Sequence, residues 1–142
     1  MTTTRIENSD KSDREAQSVR QVIEAYAERL RANDVAGIVD LYTEDAAVMG
    51  PDMPTAVGHE RLDTVYRAAL DAVAMDFTFS FDEVSIRGDT AIARTRTDGS
   101  NTVRATGDRV PARYRELFFL SRQDTGWKIA RYMFQPRPEE EP

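Results

Sequence analysis

The chain has 142 residues, 40% of them hydrophobic and 31% charged, with a net charge of -6 and no cysteine. That is one domain with enough apolar material for a single core, and it excludes disulfides, thiol catalysis and zinc–thiolate sites. With His59 the only histidine, a multi-histidine metal centre is excluded too, and the acidic balance argues against a nucleic-acid surface, which is normally basic. No stretch approaches the roughly 18 apolar residues of a membrane-spanning helix, and the polar start MTTTRIENSDKSDRE has no apolar export core. The expectation is a cytoplasmic domain that works without metal or cofactor and without a nucleic-acid or membrane partner.

Residues 1–12 lack apolar periodicity and the end PRPEEEP is a Pro/Glu run too polar to pack, so tails are expected over 1–12 and 136–142 with one domain over 13–135. Ser12 and Glu15 have capping-box spacing. From there Ala16, Val19, Val22, Ile23, Tyr26, Ala27 and Leu30 repeat at three- and four-residue steps, the apolar face of a first helix. Asn33-Asp34 ends it, and Asp34 can cap a short second helix with Val35, Ile38, Val39 and Tyr42 inward. Ala46–Met49 reads as a brief strand, and Gly50-Pro51-Asp52-Met53-Pro54 as a loop. A third helix is expected from about His59 to Val73, with Leu62, Val65, Tyr66, Ala69 and Val73 on one side.

After Met75 the period becomes two, with Phe77, Phe79 and Phe81 alternating with polar residues. Turn signals at Arg87-Gly88-Asp89, Asp98-Gly99-Ser100, Gly107-Asp108 and Asp124-Thr125-Gly126 separate strands near 90–97, 102–106, 113–122 and 127–135. Helices followed by a meander of long strands predict an α+β fold with the helices on one sheet face.

The candidate chemistry is confined to a few places. Arg87-Gly88-Asp89 has the letters of a cell-adhesion sequence, but between two strands it reads as a hairpin turn. His59, at a helix start, is either an exposed first-turn side chain or a titrating group at a site. Tyr26, Tyr42 and Tyr66 each fall on an inward face, and buried hydroxyls need partners, so they are either separate core residues or one polar spot in a pocket. Glu116 shares a strand face with Tyr114 and Phe118, where a charge is costly unless paired or facing a wet cavity. One reading pairs it with Arg94 or a neighbouring arginine inside a concave sheet; the other places that face at solvent or a subunit interface. Asp52, in the Pro-bounded loop, is a turn residue or a general base at a pocket mouth.

These residues carry a family resemblance. The runs Tyr26-Ala-Glu-Arg-Leu-Arg-Ala-Asn-Asp34, Ile38-Val-Asp-Leu-Tyr42-Thr-Glu-Asp45-Ala46 and Gly58-His-Glu-Arg-Leu62 before Tyr66 are similar to the opening of the nuclear transport factor 2-like superfamily, which includes ketosteroid isomerases and SnoaL-like polyketide cyclases. Arg115–Arg122 and Gly126–Phe134 resemble a bacterial branch of it known mainly as a domain of unknown function. The resemblance implies a cone-shaped roll, three N-terminal helices packed on a strongly curved, mostly antiparallel sheet, and a small-molecule pocket. It also implies a homodimer, with Arg113, Leu117 and Phe119 on the opposite sheet face. The pocket is expected to be lined by Tyr26, Met49, Met53, Tyr66, Phe79, Tyr114, Glu116, Phe118, Tyr132 and Phe134, with Tyr42, His59 and Arg94 nearby.

The tyrosines match the hydrogen-bonded network with which ketosteroid isomerases stabilise an oxyanion, but the isomerase's catalytic aspartate falls on Gly50, and its second aspartate falls in the strand holding Glu116. An epoxide hydrolase's Asp-Arg-Asp cluster finds at most its arginine, in Arg94. Two functions follow. One is a cofactor-free cyclase or isomerase acting on a small apolar ligand, with Tyr26 as donor and Glu116 or Asp52 as proton carrier. The other is a non-catalytic binding or dimerisation module.

Overall fold

In a computed structural model the backbone is described from Thr2 and the side chains from Asp10, to Pro142; Met1 lies outside the described residues. Helix α1 (Thr2–Arg31) buries Val19, Ile23, Tyr26, Ala27 and Leu30 along one face, and Arg29 and Arg31 favour the negative end of its dipole. Asn33, in the left-handed region at φ 58°, stops it. The Asp34 carboxylate accepts from the Gly37 amide at 3.0 Å and caps α2 (Val35–Asp40). Strand β1 (Tyr42–Met49) and the short β2 (Ala56–Val57) precede α3 (His59–Ala72), which buries Leu62, Tyr66 and Leu70 at four-residue spacing. Four long strands follow: β3 (Val73–Arg87), β4 (Thr90–Val103), β5 (Arg109–Gln123) and β6 (Gly126–Pro136).

The six strands form one open sheet in the order β2-β1-β6-β5-β4-β3, antiparallel except where β1 lies parallel to β6. The helices cover its concave face, which is the α+β roll expected. Inward residues of β5 and β6 stack: Phe118 lies 4.2 Å from Tyr132, and Tyr132 lies 5.3 Å from Phe134, ring centre to ring centre. No helix among the described residues is long and apolar enough to cross a membrane.

Several local expectations change. Helix α1 runs straight through Ser12, so the Ser12/Glu15 pair caps nothing. Glu15 instead accepts from Arg122 and from the Trp127 indole, each at 2.6 Å, and ties the helix to the sheet. Tyr42 opens β1 instead of closing α2, because Leu41 caps the helix and its carbonyl accepts from the Ile129 amide at 2.8 Å. Asp98-Gly99-Ser100 is not a turn: β4 continues to Val103, so the strand expected over 102–106 is only its end. A Cβ on Gly99 would overlap the backbone carbonyl of Asp76 on β3, so the glycine serves a close approach between bent strands. The residues after Pro136 also pack. Arg137 is 7% exposed, bonded to Asp98 at 2.7 Å and to the carbonyls of Thr97 and Tyr114 at 3.3 Å. A guanidinium that finds this many acceptors can be buried despite its charge. The Arg87-Gly88-Asp89 segment is the β3–β4 turn, with Gly88 at φ 60°.

Candidate functional site: an apolar cavity with two polar walls

A cavity of about 460 Å³ lies between the helices and the concave sheet. Tyr26, Met53, Tyr66, Tyr114, Glu116, Tyr132 and Phe134 line it. Leu30, Val48, Val65, Ala69, Val73, Met75, Phe77, Val103 and Val110 supply most of the remaining apolar wall, and Thr97 and Asn101 add polar groups that were not anticipated.

The tyrosines form one chain. The Tyr66 hydroxyl lies 2.6 Å from that of Tyr26 and 2.6 Å from that of Tyr42. Tyr42 has no exposed surface and its hydroxyl has no other protein partner. The arrangement that leaves no buried proton without an acceptor therefore has Tyr42 donating to Tyr66 and Tyr66 donating to Tyr26. The Tyr26 O–H is then the donor that ends the chain, on the cavity wall beside the Tyr132 hydroxyl. Burial pushes the Tyr26, Tyr42 and Tyr132 hydroxyls well above the ordinary phenol range. It pushes Tyr66 up to about 12, with its two tyrosine partners holding it down. All four are neutral donors at physiological pH.

On the sheet wall, register pairs Thr95 with Glu116 and Thr97 with Tyr114. Glu116 is 4% exposed and is not paired with an arginine side chain. Its Oε1 accepts from the Thr95 hydroxyl at 2.6 Å, while Oε2 has no protein partner. Burial pushes this carboxyl from its ordinary 4.5 up to about 7, against the opposing pull of the Thr95 and Thr97 hydroxyls and the charge of Arg137. Among the residues lining the cavity it is the one carboxyl, and no Lys, Arg or His accompanies it.

Other expected site residues lie elsewhere. Phe79 and Phe118 stand behind the wall, their rings 6.0 and 6.1 Å from Tyr26, and Tyr42 is the buried end of the hydroxyl chain. Met49 pairs with the outward Met133, because the strand's alternation sends Val48 inward instead. Arg94 is on the outer face, bonded to Glu83 at 3.2 Å; β4 turns Ala93, Thr95 and Thr97 inward and Arg94 outward. Asp52 is an exposed turn residue at φ 56° and does not reach the cavity. His59 borders a separate polar groove, with its Nε2 at 2.9 Å from the Tyr42 carbonyl. A Cβ on Gly50 would lie 2.7 Å from the Phe134 ring and 2.8 Å from the Met53 sulfur, so those two side chains occupy the space a carboxylate there would need.

A protein-family model for the SnoaL-like domain matches residues 23–132, while no curated protein matches. Among solved structures, the chain is similar to a ketosteroid isomerase-like protein from Erwinia carotovora atroseptica. The two are 35% identical, with 85% of this chain and 95% of that one covered at a TM-score of 0.79. It shares its fold with a conserved protein from Planctomyces limnophilus (22% identity, 84% and 93% covered, TM-score 0.76). The same holds for a nuclear transport factor 2-like protein with a cystatin-like fold from Novosphingobium aromaticivorans (18%, 99% and 90%, 0.76). The chain belongs to the SnoaL-like domain family and has the fold of nuclear transport factor 2-like proteins.

Proposed function

We propose that this is a cofactor-free, cytoplasmic enzyme of the cyclase or isomerase type that moves a proton on a small, largely apolar carbonyl compound. The observation that carries this reading is the meeting, in one apolar cavity, of the phenolic donor that ends the tyrosine chain (Tyr26) and a single carboxyl poised near neutral pH (Glu116). Ionised Glu116 takes a proton from the carbon next to the carbonyl. The C–H electron pair becomes the enolate, and its negative oxygen accepts from Tyr26 O–H. The protonated acid then returns the proton to carbon. Asp52, outside the cavity, has no part in this.

The test uses tetralone, a bicyclic aromatic ketone, in heavy water, with deuterium incorporation beside the carbonyl followed by NMR. The reading expects exchange faster than in buffer, rising with pH through a midpoint at about pH 7 to a plateau above it, lost in Glu116→Gln and about 10²-fold slower in Tyr26→Phe. Binding without exchange would overturn it in favour of a non-catalytic binding module, which the displacement of the isomerase base by Gly50 supports.

The same reading includes a homodimer. Ile92, Leu117, Phe119 and Met133 are 37–45% exposed on the outer sheet face. They are neighbours in register across β4, β5 and β6, forming an apolar patch. A second copy covers it back to back.

A further inference from the structure

Among the described residues, the buried side-chain polar atoms without a protein partner are Thr97 Oγ1, Asn101 Oδ1, Glu116 Oε2 and Arg137 Nε. The first three belong to residues lining the same cavity, all on the sheet wall formed by β4 and β5. Folded proteins pair nearly all such atoms. Three unpaired atoms on one wall therefore mark a station complementary to a polar group that the chain itself does not provide. Thr97 is 1% exposed and Glu116 4%, so bulk solvent does not serve them.

The station's chemistry limits what it takes. Asn101 Oδ1 accepts, the Thr97 hydroxyl donates and accepts, and Glu116 Oε2 accepts when ionised and donates when protonated. A hydroxyl, donating to Asn101 Oδ1 and accepting from Thr97, matches these two groups in either state of the acid. A carboxylate or phosphate does not, because no Lys, Arg or His lines the cavity and Glu116 would oppose it. We propose that the cavity selects an uncharged, largely apolar ligand by two oxygen functions, a carbonyl held at the Tyr26 hydroxyl and a hydroxyl held by Thr97 and Asn101, with Glu116 left to the carbon beside the carbonyl. This rests on the cavity reading above and narrows its substrate class to hydroxy-ketones.

Calorimetric titration of the full chain with tetralone, a tetralone hydroxylated on the ring carbon farthest from the carbonyl, and its carboxylated counterpart tests this. The hydroxylated ketone is expected to bind wild type about fivefold to tenfold more tightly than tetralone, and the carboxylate at least about tenfold more weakly. Thr97→Val and Asn101→Ala are each expected to bind the two uncharged ketones alike. Equal affinity of wild type for the two ketones, or a hydroxyl advantage that survives in both variants, overturns the proposal. Failure of every ketone to bind removes the cavity reading and this one with it. A hydroxyl advantage without isotope exchange supports this inference and overturns only the proton-transfer reading.

Discussion

Glu116→Gln is expected to stabilise the protein, and only above acidic pH. In the unfolded chain this carboxyl gives up its proton near pH 4.5, whereas in the fold burial holds the proton to about pH 7. The stability that comes from tighter proton binding is therefore fully present below pH 4.5 and is lost as pH rises through 7, because the unfolded state gains from ionising before the folded state can. At about 1.4 kcal/mol for each tenfold change in proton affinity, the interval from 4.5 to about 7 corresponds to about 3 kcal/mol. Glutamine keeps the shape and the contact with Thr95 but carries no charge, so it escapes this loss. In a chain of this length about 1 kcal/mol moves Tm by about 3 °C. The Tm of the variant relative to wild type should thus climb by about 10 °C between about pH 4.5 and about pH 8, with wild type falling and the variant staying nearly level. Circular-dichroism melts across that range measure it. Parallel curves for the two proteins would mean that Glu116 ionises as freely in the fold as in the unfolded chain, and the acid–base role assigned to it would fall.

Four further outcomes follow from the geometry. Tyr66→Phe breaks both bonds of the hydroxyl chain and leaves the buried Tyr42 hydroxyl without a partner, so chemical denaturation should show a loss of about 2 kcal/mol. Gly50→Asp puts side-chain atoms against Phe134 and Met53, so it should cost about 1–3 kcal/mol and reduce tetralone binding instead of creating an isomerase base. Gly99→Ala drives a methyl into the Asp76 backbone and should cost about 3 kcal/mol, with a lowered midpoint in urea. A Leu117→Glu, Phe119→Arg double variant charges the outer apolar face; sedimentation velocity should find monomer where wild type sediments as dimer, and a wild-type monomer would remove the back-to-back pairing.

Much of the fold is legible because its periodicities are strong. The three- and four-residue steps of α1 and α3 and the alternation along β3, β5 and β6 survive in the structure with small shifts at the ends. Alternation puts Glu116 on one strand face with Tyr114 and Phe118 but leaves open whether that face meets a cavity or a partner, because Leu117 and Phe119 make the other face apolar too; in the structure Phe118 is buried and Leu117 exposed. Tyr42 was not placed correctly, because it follows a helix of only six residues, where apolar spacing fits a last helical turn as well as a first strand residue. Its hydroxyl nevertheless joins the chain expected of it, since both placements face the same interior.

Gly99 accounts for the main omission. Flanked by Asp98 and Ser100 it has the composition of a turn, and a glycine that permits a turn is indistinguishable in sequence from one that permits close approach of two strands. Reading it as a turn cuts β4 in two, and Asn101 then falls within a loop while Thr97 becomes a strand end with no assigned face. In the structure β4 stays paired with β3 and β5 through Gly99. The face that Glu116 occupies therefore continues across register to Thr95 and Thr97, and on along β4 to Asn101 at the same parity. One glycine thus decides whether the cavity is read as an apolar cone with a lone acid or as one whose sheet wall carries a polar station. Only the second accounts for three unpaired buried atoms in the same place.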